Sequence, residues 1–300
     1  MRNSNCRRAL PDSASYLRGM IACLALVLVT GGAHVAAAQD RDAEFEALAE
    51  ALRISDTVAI MREEGLLYAD QVADAMLPEV DTAGWQQQVA QLYDASRMEQ
   101  LVLQGLERAL EGADLAPMLA FYTNDTGERA VALELEARRS FLDPEAEDSA
   151  RAAAADAMAR DDGPQADLLD WVRRMIEGSD LIERNVTASL NADMMFWRGV
   201  MDGGGPGPAG DAGSEADLAD AVTADLEATR RDTEAWLTAF LMVAGDPLTP
   251  GQMDAYATFY ETRDGRILNA ALFEGFNAMY DQLAYLLGRT VGTWMTSAPL

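Results

Sequence analysis

The chain has 300 residues, and its 23 basic side chains, all arginine, face 50 acids for a formal net charge of −27 at pH 7. Such a balance excludes nucleic acid, anionic headgroups and acidic polysaccharide as partners, because holding them depends on Arg or Lys neutralising their charge. The only histidine, His34, and both cysteines, Cys6 and Cys23, lie within the first 38 residues, so the rest of the chain has no imidazole base, thiolate nucleophile, disulfide or Cys/His zinc site.

Those first residues read as a secretory leader over 1–38. Arg2, Arg7, Arg8 and Arg18 form a basic start, and Met20 to Thr30 is an apolar run too short for a permanent span. Ala36-Ala37-Ala38 then supplies small residues ahead of Gln39. A lipid anchor on Cys23 fits poorly, since Leu24 to Val29 of the apolar run still follow it. Loss of the leader removes four arginines and one acid, Asp12, and leaves 262 residues of formal charge −30. The charge is read first as a solubility device of an Ala- and Arg-rich composition. The expected location is the periplasm or the exterior, with no membrane span after cleavage.

A first unit, 39–142, opens with Phe45, Leu48, Ala49 and Leu52 at helical spacing in Asp40 to Arg53. A second helix is expected from Ser55, an N-cap residue type, through Val58, Met61, Leu66, Ala69, Val72, Ala73 and Met76, with Gly65 a point where it can divide. From Asp81 the apolar positions Trp85, Val89, Leu92, Met98, Leu101, Val102, Leu106 and Leu110 form one bent helix or two in series, ended by Gly112. Leu115 to Tyr122 is a short helix, and Ala130 to Leu142 returns to helical period through Val131, Leu135, Arg138 and Phe141.

Residues 143–165 are acidic and Ala-rich, and read as a junction in which Arg151 to Arg160 can be helical but has little to bury. The second unit, 166–296, begins with a helical hairpin carrying Leu168, Leu169, Val172 and Met175, then Leu181, Val186, Leu190 and Phe196. Residues 202–214 hold Gly203-Gly204-Gly205-Pro206-Gly207-Pro208 and read as a flexible, solvated loop. One long helix is expected over Leu218 to Met242, and Thr249-Pro250 with Gln252 forms a capping box for the next. A last amphipathic helix covers Ile267 to Leu287. No stretch alternates as a half-buried strand would, so the class is all-α.

One pattern occurs twice. Phe121-Tyr122 is followed by Asn124, Gly127 and Arg129; 138 residues on, Phe259-Tyr260 is followed by Thr262, Gly265 and Arg266. Leu92 and Arg97 meet Leu226 and Arg231 at an offset of 134, so an insertion falls in the Asp246 to Pro250 loop, and the chain reads as an internal duplication of a helical unit. Asn124 and Thr262 are N-cap types, Asp125 and Asp264 fall in the first turn, and each Gly takes the third helical position, where close approach of a backbone or aromatic ring would offset its low helix propensity. The motif reads as a tight corner between helices. It resembles the hallmark of a family of secreted, all-helical bacterial proteins, the domain of unknown function numbered two thousand and fifty-nine, here in two copies. This chain lacks that family's Pro in both copies and carries the basic residue one position early in the second. The resemblance implies a periplasmic helical fold and no assigned reaction.

What remains for chemistry is carboxylate, Tyr, Arg, Ser and Thr. Paired acids suffice for glycan hydrolysis, but Glu134 and Glu136, Glu145 and Glu147, and Asp161 and Asp162 read as solvated faces or loop charge. Neither Asp211 to Asp220 nor Asn124 to Glu128 has calcium-loop spacing, and the Met194-Met195 pair, like Trp197, Trp236 and Trp294, reads as core. Two readings stand: a binding or structural component of the cell envelope with a protein partner and no catalytic residue, cofactor or metal, and a carboxylate hydrolase of envelope glycan.

Overall fold

The computed structural model describes residues 33–77, 81–160, 163, 165–208, 210 and 215–297, with side chains from residue 40 onward. The basic residues and apolar run of the expected leader, Met20 to Thr30 among them, lie outside the described residues, and Ala36 to Ala38 fall in the first helix. In chain order the helices are α1 (Ala33–Ala51), α2 (Ile54–Met76), α3 (Thr82–Leu92), α4 (Ala95–Ala109), α5 (Ala116–Tyr122), α6 (Asp125–Ser140), α7 (Pro144–Arg160), α8 (Ala166–Gly178), α9 (Leu181–Asp202), α10 (Glu215–Thr223), α11 (Leu226–Gly245), α12 (Pro250–Glu261) and α13 (Arg263–Ser297). The fold is all-α; among the described residues the only β pairing is an isolated bridge between Gly207 and Gly210.

The helix boundaries correct several expectations. Ser55 does not cap α2; it lies inside the helix, where its hydroxyl donates to Glu99, and the cap position is Arg53 in the left-handed region, φ 47°. Gly65 is buried and leaves α2 unbroken. The stretch from Asp81 is two helices, because the Asp94 carboxylate accepts from Arg97 N at 2.9 Å and so starts α4 afresh. The long helix expected over Leu218 to Met242 divides into α10 and α11 around Asp225, whose backbone is non-helical at φ −112°, ψ 24°, next to the helix-disfavouring Val222-Thr223. The acidic stretch after Leu142 is a full helix, α7, begun by Asp143, whose carboxylate accepts from Glu145 N at 3.0 Å, and by Pro144 at the first helical position.

Helix pairs recur in order. α1 packs on α2 as α8 does on α9, and α2 packs on α4 as α9 does on α11; α5 and α6 correspond in the same way to α12 and α13. Both α1–α2 and α8–α9 are joined by two residues, the second left-handed: Arg53 in one and Asp180, φ 54°, in the other. The last helix of each set crosses over. α13 lies on α4 and α6 lies on α11, so each half is closed by a helix from the other. A single apolar cluster runs from Leu48 in α1 to Val291 in α13.

Close helix approach depends on missing side chains. Where α4 crosses α13, a Cβ on Gly105 would stand 2.6 Å from Gly275 Cα. The parallel pair α9 and α13 meets at Gly199, Gly288 and Gly292, with each Cβ position blocked by the facing backbone. Gly203 and Gly205 also press on Gly292, so the start of the loop expected to be freely solvated is seated against α13; residues 209 and 211–214 lie outside the described residues.

Gly105→Ala is expected to destabilise the protein by roughly 1–3 kcal/mol through overpacking at the α4–α13 crossing. The urea midpoint checks it, and an unchanged midpoint would mean that the two helices do not depend on this contact.

Candidate functional site

The repeated motif forms two helix-to-helix corners of one design. At the first, Asn124 caps α6, its Oδ1 accepting from Thr126 N at 2.8 Å and Gly127 N at 3.0 Å. At the second, Thr262 Oγ1 accepts from Gly265 N at 3.0 Å and donates to Phe259 O at 2.6 Å. Each Gly is the third residue of its helix and lies under the end of the helix before it. A Cβ on Gly127 would stand 2.5 Å from Tyr122 Cα, one on Gly265 2.9 Å from Tyr260 Cα, and both would strike the carbonyl of the corresponding Phe. The close approach is therefore to backbone, and a side chain of any size is excluded. Arg129 is exposed, and Arg266 is exposed with its guanidinium donating to Glu261 O.

The two corners face each other. Phe121 stacks on Phe259 with centroids 4.4 Å apart and planes 6° from parallel, and the Tyr122 and Tyr260 hydroxyls are hydrogen-bonded at 2.8 Å. Each residue thus meets its own counterpart, 138 positions away. Tyr122 and Tyr260 are buried, and Phe259 stands edge-on to Tyr122 at 5.4 Å. Tyr256 and Trp171 extend the aromatic cluster on the second side.

Beside this cluster lies a buried polar network that the sequence reading placed elsewhere. Glu134, expected on a solvated face, is 6% exposed and accepts a short 2.5 Å hydrogen bond from the Tyr256 hydroxyl. Its register explains the burial: Ala130, Val131, Glu134 and Arg138 share the inward face of α6. One turn on, Arg138 is 3% exposed, bonds Glu64 of α2 at 2.7 Å and reaches the Tyr280 hydroxyl of α13 at 3.4 Å, while its Nε–H has no acceptor. Burial raises the Glu64 carboxyl above the ordinary carboxylate range, against the opposing pull of Arg138, and burial likewise raises the Tyr280 phenol. Glu64, Tyr256 and Tyr280 carry no local signal of this role; an Arg and a Glu one turn apart on an apolar stripe were the available sign.

The other acid pairs do not converge. Glu136 and Glu145 are exposed, Glu147 pairs with Arg151 at 2.7 Å, and Asp161 and Asp162 lie outside the described residues. Among the described residues no group of three His, Cys, Asp or Glu side chains could hold a metal, and no helix is long and apolar enough to cross a membrane. An open groove between α4 and α13, lined by Arg108, Ala109, Ile267, Ala270, Ala271 and Glu274, includes none of the motif residues.

Residues 96–156, from α4 through most of α7, match the family model described as "Uncharacterized protein conserved in bacteria (DUF2059)". The match includes the first corner and not the second. Neither a curated protein nor a solved structure matches the chain.

Arg138→Met leaves the partly buried Glu64 without its cation and is expected to destabilise at pH 7 by up to about 3 kcal/mol, while the Glu64→Met/Arg138→Met double variant should lose much less. The folded Glu64 pKa lies above the unfolded one, so its protonated form favours folding below the unfolded pKa, and that contribution is lost as pH rises through the folded pKa. The Arg138→Met deficit should accordingly shrink on acidification. Denaturant titrations at pH 7 and pH 5 check both points, and a double variant as unstable as the single would refute the pairing.

Proposed function

We propose that the chain is an exported protein built of two related helical units, acting in the cell envelope as a binding or structural component rather than as a catalyst. The observation that carries this reading is the inward turn of the polar groups best suited to chemistry. Tyr122 bonds Tyr260, Tyr256 bonds Glu134 and Arg138 bonds Glu64, each contact joining helices within the packed interior. The two tyrosine contacts link the first and second units, Arg138–Glu64 lies within the first, and side chains committed in this way present nothing to a substrate.

Export rests on the basic start, short apolar run and alanine triplet ahead of Gln39. The relation between the units rests on three correspondences: the self-paired motif, the recurring order of helix contacts, and the two left-handed joints at Arg53 and Asp180. A carboxylate hydrolase would need two acids across an open cleft, one of them partly buried. Here Glu134 lies inside against Tyr256 and Glu136 outside in solvent, which favours the non-catalytic reading. A formal charge of −30 without the leader directs the partner's contact face toward neutral or basic chemistry.

Crosslinking in cells expressing the full chain, followed by fractionation and mass spectrometry, tests this reading. The expected result is a periplasmic or secreted species beginning near Gln39, joined to one defined envelope protein. Retention of residues 1–38 on a cytoplasmic species, or no partner above background, would overturn it.

A further inference from the structure

The break between α6 and α7 has no counterpart in the second half. At an offset of 138, α6 and α7 together correspond to α13, which runs unbroken from Arg263 to Ser297, with Gln282 at the position of Pro144. Pro144 has no N–H to continue α6, and the Asp143 carboxylate begins a new helix, so α7 turns away and lies along α11.

The two segments are held very differently. Beyond Gln282, α13 buries Leu283, Leu287, Gly288, Thr290, Val291 and Gly292. Across its 17 residues α7 buries only Ala154 and Ala157, and Met158 stands 47% exposed. What fastens α7 is polar. Arg151 bonds Glu147 within the helix at 2.7 Å and Asp232 of α11 at 3.2 Å, with all three side chains partly shielded from water. Two buried methyl groups, a third partly buried at Ala150, and one bridged arginine are a weak attachment for a helix of almost five turns. Elements with so few buried apolar contacts open at a free energy well below that of global unfolding.

We infer that α7 is a strap latched by Arg151, which opens on a hinge at Phe141–Asp143 while the rest of the fold stays closed. The hinge itself is anchored: Phe141 stands edge-on to Trp236 at 5.7 Å and to Phe240 at 6.1 Å, so opening begins beyond it. Lifting the strap bares the face of α11 against which α7 packs, and carries the Glu147 charge away from the neighbourhood of Glu64. The strap is a conformational element of the fold and does not depend on the envelope reading above.

Hydrogen exchange followed by mass spectrometry on the purified chain tests it. Peptides covering 145–160 should exchange at least about tenfold faster than those covering the buried turns of α9 and α13. Arg151→Ala should accelerate the 145–160 peptides by about five- to tenfold and leave α4, α9 and α13 unchanged, and Ala154→Gly/Ala157→Gly should do the same without touching the latch. Exchange of α7 at the rate of α9 and α13, or acceleration of every helix together in these variants, would overturn the strap. Unchanged α7 exchange in Arg151→Ala would remove the arginine as its latch.

Discussion

Phe121 on Phe259 and Tyr122 on Tyr260 form the contact on which the architecture depends. Each pair ends a helix, and each is followed by a glycine whose absent side chain lets the next helix start directly beneath it. The corner thereby fixes the departure angle of α6 on one side and α13 on the other. From these corners α6 runs onto α11, and α13 runs onto both α9 and α4. The crossings at Gly105–Gly275 and along α9 and α13 then bring the helices to backbone contact.

Compared at an offset of 138 residues, the two stretches differ where polar groups are buried. Tyr256 and Glu134 occupy positions whose counterparts, at an offset of 138, are Met118 and Leu272, both buried and apolar. Apolar residues fill such positions without desolvating an acid, and the burial of Glu134 is offset here by its hydrogen bond from Tyr256. They differ again at Pro144, which separates α6 from α7, whereas α13 is continuous through Gln282. Both departures fall in consecutive helices, the polar contacts on α6 and the lightly held strap in α7.

Helical period and cap chemistry made the all-α class, the two corners and the capping box at Thr249 legible in the sequence. The helix breaks were less so, because they turn on competition within two or three residues. Asp94 outbids continuation of α3, Asp225 ends α10, and Arg53 takes a left-handed conformation that its residue type does not advertise. Glu134 was misplaced for a general reason: a carboxylate on an apolar stripe reads as solvated until its partner is known, and Tyr256 is 122 residues away. The meeting of the two corners was likewise beyond local reading, since nothing in either stretch specifies that it will pack on the other.

The interlocked arrangement makes a direct demand on folding, since each half lacks the helix that closes it. Severing the chain between Asp162 and Gly163 and producing residues 39–162 and 163–300 separately tests that demand, by far-ultraviolet circular dichroism and urea titration of each fragment and of their mixture. The account predicts that neither fragment alone unfolds cooperatively and that an equimolar mixture recovers both helix content and a single cooperative transition. A cooperative transition in either isolated fragment would contradict it.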